Sequence, residues 1–136
     1  MKLENLDHIG VAVTSIAEAL PFWESVVGIR LHGIEEIVEQ RVRTAFLPVD
    51  DTEIELLEPI SAESPVAAFI EKHGEGLHHI AIRVDDIDAA LEELKRHEVR
   101  LIDERPRNGA GGTRIAFVHP KATHGVLLEL CERPSK

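Results

Sequence analysis

Leu6-Asp7-His8-Ile9-Gly10-Val11-Ala12-Val13 returns later in the chain as Leu77-His78-His79-Ile80-Ala81-Ile82-Arg83-Val84. In each copy branched residues alternate with a histidine followed by small or polar residues. Ile9, Val11 and Val13 stand against His8, Gly10 and Ala12, and Ile80, Ile82 and Val84 against His79, Ala81 and Arg83. Strand side chains alternate faces, so one face packs and the other carries a lone imidazole beside small residues. Such a face can line a cavity.

The likeness extends outward from these strands. An offset of 71 superposes Leu6, His8, Ile9, Val13, Ile16, Ala19 and Leu20 on identical residues, and matches Arg43, Ala45 and Phe46 to Arg114, Ala116 and Phe117. An offset of 74 pairs Ile54-Glu55-Leu56 with Leu128-Glu129-Leu130. Two separated segments agreeing at one offset indicate a tandem duplication of a strand-helix-three-strand module. Each copy has one histidine early and one carboxylate late.

The 136 residues suit one domain of ordinary size, or two half-sized modules too small to be stable apart. We expect a single domain: module 1 over about 3–60, a joint with a short helix over 61–76, and module 2 over about 77–133. At 43% hydrophobic and 29% charged, with mean hydropathy −0.08, the composition is that of a soluble globular chain. A net charge of −10 argues against nucleic acid or an anionic membrane as the main partner. An anionic substrate must then meet a local positive centre, which a bound cation can supply. The lone Cys131 rules out an internal disulfide, and the N-terminus shows no basic and apolar leader, so a cytoplasmic location is expected. No apolar run approaches the roughly 20 residues of a membrane span.

In chain order, Thr14 or Ser15 is placed to cap a helix whose apolar stripe is Ile16, Leu20, Trp23 and Val27, ending at Gly28. Pro21 within it demands a late start or a kink. Strands are expected over 29–40, with a turn at His32-Gly33, then over Val42 to Val49 and Thr52 to Leu57, with Asp50-Asp51 turning the chain and Pro59 ending the last. Ser64-Pro65 opens the short joint helix through Val66, Phe69 and Ile70, which stops at His73-Gly74. In the second module Asp85-Asp86 caps a helix with Ile87, Leu91 and Leu94 inward. Strands are expected over Val99 to Ile102, Thr113 to Val118 and Gly125 to Cys131, with a glycine-rich loop, Asn108-Gly109-Ala110-Gly111-Gly112, between the first two.

Glu129 lies in an otherwise apolar strand, where a carboxylate is costly unless paired or bound to metal. His8, Glu55, His79 and Glu129 occupy equivalent points of two repeats, so a pseudo-twofold can bring them round one centre. Two imidazoles and two carboxylates suit a first-row divalent ion with room in its shell for substrate oxygens. For Glu55 an exposed acidic edge shared with Glu53 and Glu58 is the competing explanation. Trp23 reads as core and Cys131 as a small buried residue. The glycine loop lacks the Lys-Ser/Thr of a P-loop. It is either a plain hairpin or a nest of amides for a carboxylate or phosphate, in which Gly111 and Gly112 would bind substrate. Arg105, Arg107 and Lys121 are solvated or steer an anion.

Leu6 to Val13, Gly74 to Ala81, Arg114-Ile115-Ala116-Phe117-Val118-His119-Pro120-Lys121 and Gly125-Val126-Leu127-Leu128-Glu129-Leu130 resemble the vicinal oxygen chelate, or glyoxalase-like, superfamily. Within it they look most like the methylmalonyl-CoA epimerases. The resemblance implies an α+β fold of two tandem βαβββ modules forming a cupped mixed sheet around a divalent metal, in a homodimer acting on an acyl-CoA. It implies interconversion of (R)- and (S)-methylmalonyl-CoA by 1,1-proton transfer through a metal-stabilised enolate. It carries metal-ligand roles to His8, His79 and Glu129, and to Glu55, where family members carry either glutamine or glutamate; we read Glu129 as one acid/base group and its repeat partner Glu55 as the candidate for the other. Cobalt is the ion it favours, although manganese, zinc, nickel and magnesium tolerate such ligands. One position departs from the pattern: Thr44 stands where some epimerases place a second glutamate base. Competing readings are a glyoxalase I-type isomerase, a ring-cleaving iron dioxygenase, and a non-enzymatic ligand-sequestering module. The absence of tyrosine and a fourth ligand at Glu55 count against the dioxygenase, and the 4% aromatic content against the sequestering module.

Overall fold

The structure, a computed structural model, describes residues 1–135. These fall into two compact units, one of His8–His78 and the other of Met1–Asp7 with the chain from His79 onward.

In the first unit the strand order is β2-β3-β4-β1. It comprises β2 (Gly33–Ile37), β3 (Val42–Val49), β4 (Thr52–Pro59) and the later part of β1 (Leu3–Ala12). The first two pairings are antiparallel and β4·β1 is parallel. Helix α1 (Ile16–Pro21) makes the crossover. Its first turn would leave N–H groups unpaired. Ser15 Oγ accepts from Glu18 N at 3.2 Å, and Glu58 Oε1 accepts from Ile16 N at 2.7 Å. The start is therefore immediate, at Ser15. Pro21 cannot donate to the previous turn, and the helix answers by widening into a π-helical turn over Phe22–Val26, closed by Val27 N on Phe22 O at 2.9 Å. This resolves the proline without a late start. It also rotates Val27 off the expected stripe into solvent, while Ile29 and Leu31 join Ile16, Leu20 and Trp23 against Ala45, Leu47 and Leu56.

Strand β2 is shorter than the sequence suggests. A 3₁₀ turn at Val38–Gln40, with Arg41 at φ 54°, replaces its last residues. Asp50, also at positive φ, turns β3 into β4. Helix α2 (Pro65–His73) forms where Ser64-Pro65 indicates, with Ser64 accepting from Val66 N. Its Val66, Phe69 and Ile70 cover Ala12, Val42 and Leu57.

In the second unit the order is β5-β8-β7-β6. It comprises β5 (Gly76–Val84, entering at His79), β8 (Leu128–Glu132), β7 (Arg114–Val118) and β6 (Arg107–Asn108). The β5·β8 pairing is parallel and the others antiparallel. Helix α3 (Ile87–Arg96) is capped by Asp86, and Glu132 Oε1 accepts from Ile87 N at 2.9 Å. Ile87, Ala90 and Leu91 close on Val84, Ala116 and Leu130.

The strand expected over Val99 to Ile102 is not formed. Leu101 makes a single bridge to Val118, and Asp103 Oδ2 accepts from Phe117 N at 2.9 Å. A side chain has taken the donor that would have continued the ladder. Met1–Asp7 is tied to this unit by the terminal amine on Glu93 at 2.7 Å, by Asp85 N on Lys2 O, and through Asp7.

The repeat is reproduced in the ladders. Gly10 faces Glu55 as Ala81 faces Glu129; Phe46 faces Glu55 as Phe117 faces Glu129; Ala45 faces Leu56 as Ala116 faces Leu130. The supporting network is duplicated too. Arg43 pairs with Glu58 at 2.8 Å and Arg114 with Glu132 at 3.7 Å, and each of these glutamates holds the N-terminus of its module's helix.

Candidate functional site

Each unit buries one imidazole against one carboxylate. In the first, His8 Nδ1 lies 3.3 Å from Glu55 Oε2, both residues 6% exposed. In the second, His79 Nε2 lies 3.3 Å from Glu129 Oε1, at 6% and 4%. The β1·β4 and β5·β8 registers produce these pairs. In each parallel ladder the carboxylate faces the small residue two places after the histidine, so the imidazole and the carboxylate share a sheet face. Gly10 and Ala81 leave room there. The two copies present different ring nitrogens to their carboxylates.

Burial excludes the acidic-edge explanation for Glu55. Its strand is flanked by β3 and β1, and Glu58 spends its carboxylate on α1 and Arg43. Removing a carboxylate from water is costly unless opposite charge or hydrogen bonds compensate. Imidazole nitrogen and carboxylate oxygen, buried and adjacent, are a donor set that a divalent first-row ion accepts. Both pairs therefore offer donors that fit such an ion.

Phe117 stands edge-on to His79 with ring centroids 5.6 Å apart, and Arg107 lies over the same ring at 5.5 Å. Of the basic residues considered from sequence, Arg107 is thus the one brought into contact with an aromatic neighbour of the pair. In the glycine loop, Gly111 and Gly112 adopt φ 63° and 75° in a 3₁₀ turn closed by Thr113, whose Oγ1 donates to Ala110 O at 2.7 Å. A Cβ on Gly109 would meet Thr113 Oγ1 at 2.7 Å and Ile115 Cγ2 at 2.8 Å, so the loop's approach to β7 requires glycine.

Thr44 is fully buried, faces Leu57 across β3·β4, and its Oγ1 has no hydrogen-bond partner among the described residues. It lies two residues from Phe46, which faces Glu55. Cys131 is buried; desolvation, then the nearby Asp7 and Glu129 charges, push its thiol up, which makes it a poor nucleophile. Burial lowers His78 to about 4, keeping that ring neutral. Sequence reading missed Asp7, whose buried carboxylate accepts Arg83 Nε at 2.9 Å and Arg133 Nε and Nη2 at 2.9 and 3.0 Å. Its position directly before His8 was the available signal.

A family model described as the glyoxalase/bleomycin resistance protein/dioxygenase superfamily matches residues 7–117. The chain belongs to that superfamily. The Bacillus subtilis protein YqjC, itself uncharacterized, is 47% identical over 96% of this chain and 93% of its own length. Mitochondrial methylmalonyl-CoA epimerase of Mus musculus is 36% identical over 95% of this chain and 73% of its own. A solved methylmalonyl-CoA epimerase, in complex with methylmalonyl-CoA and NH4+, is similar at TM-score 0.94 and 36% identity, over 98% of this chain and 97% of that one. The fold is the glyoxalase-like α+β fold, and the superfamily member described here is related to methylmalonyl-CoA epimerases. Among the described residues no helix is long and apolar enough to cross a membrane.

Proposed function

We propose that the protein is a divalent-metal-dependent epimerase interconverting (R)- and (S)-methylmalonyl-CoA, working as a homodimer in the cytoplasm. The observation that carries this reading is the duplicated buried pair, His8 with Glu55 and His79 with Glu129, each at 3.3 Å. Kinship with epimerases supports the substrate class. In this reading the four side chains serve one cation, cobalt first among the candidates and manganese, zinc, nickel or magnesium its alternatives. The chemistry supplied by the bound ion is Lewis-acid polarisation of the thioester and carboxylate oxygens.

The reacting C–H of the substrate lies between a thioester and a carboxylate, so its loss leaves an enolate. Inversion requires a proton to leave one face and return to the other, and hence two acid/base groups on opposite sides. Glu129 takes the proton from C2. Glu55, its repeat partner, enters this direction protonated and releases its proton to the far face, and the reverse reaction exchanges the two roles. Thr44 supports that assignment, because a hydroxyl does not serve as a carboxylate base at neutral pH. Gly111 and Gly112 offer amide N–H groups to the substrate carboxylate.

The test is metal analysis with turnover assays on chelator-stripped and reconstituted protein in deuterated water. Epimerisation that returns with the metal, with deuterium entering C2, is the expected outcome. Turnover of a glutathione hemithioacetal in place of methylmalonyl-CoA would assign a glyoxalase. Failure to take up any divalent ion would leave ligand sequestration.

A further inference from the structure

The chain passes from one compact unit to the other between Asp7 and His8, and back between His78 and His79. Each histidine assigned above as a ligand is therefore the first residue after a crossing. In both places the residue before it is held by its side chain. Asp7 is 1% exposed and receives three charge-assisted hydrogen bonds, one from Arg83 and a two-pronged pair from Arg133. Its counterpart at the repeat offset is His78, whose ring stands edge-on to Phe69 of α2 with centroids 4.8 Å apart. The chemistry differs and the location is the same.

We infer that Asp7 and His78 are positioning residues, anchors that fix the backbone entering His8 and His79 and so set the aim of both imidazoles toward a divalent cation. The inference rests on the reading of those histidines as ligands. Metal–ligand distances tolerate only a few tenths of an ångström, so slack in the preceding peptide is felt at the ring nitrogen. A buried ion pair adds little net stability compared with apolar residues of the same volume. What the two-pronged Arg133 contact adds is direction, because both carboxylate oxygens are held in the plane of the guanidinium. An edge-on ring pair restricts orientation in a similar way without charge.

The experiment titrates chelator-stripped full-length protein with MnCl2 by calorimetry and records thermal unfolding of the same samples. Asp7→Asn and His78→Ala are expected to weaken Mn²⁺ binding about 10–100-fold, the range seen when groups supporting a ligand are removed. His78→Phe keeps the ring contact and is expected to restore binding. Arg114→Ala, which breaks a different ion pair, is expected to leave it unchanged. Should Asp7→Asn unfold, Arg133→Lys keeps the charge and loses the fork, and must show the same weakening. A wild type that binds Mn²⁺ alongside variants that bind equally well, whatever their unfolding temperatures, overturns this inference alone. A wild type that binds no divalent ion overturns the proposed function with it.

Discussion

The first module lays an apolar helix over one set of sheet positions, and at the equivalent positions the second has an arginine, a buried threonine and a buried cysteine. Ala12, Val42 and Leu57 lie beneath Val66, Phe69 and Ile70 of α2, whereas their repeat counterparts are Arg83, Thr113 and Cys131. Arg83 turns to Asp7 instead of meeting a helix. The helices differ too. Helix α3 runs regularly and buries Ile87, Ala90 and Leu91 to 2% exposure or less, while α1 is cut at Pro21, widens, and leaves Ala19 and Leu20 only partly buried. The carboxylate register and the glutamate under each helix are nonetheless the same. Duplicated ladders preserve the chemistry, and the segment that meets each copy, the joint helix on the first and Met1–Asp7 on the second, decides how it is finished.

That comparison can be tested at several strengths. The largest effect is expected at the carboxylates: Glu129→Gln should lower kcat for epimerisation by about 10²–10⁴-fold. Glu55→Gln should block the opposite direction of proton delivery and show up as a change in deuterium wash-in between the two epimers. Near-normal turnover in Glu129→Gln would remove that residue from the chemistry. Next, Leu91→Ala should cost about 2–5 kcal/mol in denaturant unfolding, as for a closed core. The repeat-equivalent Leu20→Ala should cost distinctly less, because its site is already open on one side. Equal losses would mean that the widened turn packs as well as the regular helix.

A third prediction concerns pH. Burial holds His78 at about 4 against its usual 6.5, so the unfolded chain takes up a proton before the folded one does. The stability that depends on a neutral His78 is complete above pH 6.5 and is lost as the pH falls toward 4. In metal-free protein the loss is up to about 3 kcal/mol. His78→Phe should flatten this part of the stability curve; an unchanged slope would show that other groups set it. The smallest effects are expected at the helix starts. Glu58→Ala and Glu132→Ala each remove a charged acceptor from a helix N-terminus, and each should lower stability by about 1–2 kcal/mol in thermal unfolding. Equal values would confirm that this support, unlike the covering of the sheet, is common to both modules.

Much of this was legible in the chain. Strands β1, β3, β4, β5 and β8, the caps at Ser64 and Asp86, and the equivalence of His8 with His79 and Glu55 with Glu129 follow from periodicity and from the two repeat offsets, 71 and 74. Where reading failed, a tertiary contact had displaced a local preference. The apolar run Val99 to Ile102 has strand composition, but Asp103 competes for the Phe117 donor. Val27 fits the helical stripe until Pro21 widens the turn beneath it. Asp7 was missed because the arginines that hold it, Arg83 and Arg133, lie 76 and 126 positions away.

By itself the sequence determined the duplicated module, the four residues able to serve a cation and the kind of chemistry they suit. Side-chain alternation and repeat spacing are local properties, and they survive without knowledge of the neighbours. Only the tertiary structure decided that Glu55 is buried and not an acidic edge, that α2 covers one copy, and that Asp7 is buried between Arg83 and Arg133. Those depend on which distant segments meet, and burial and ion pairing have no signature until they do.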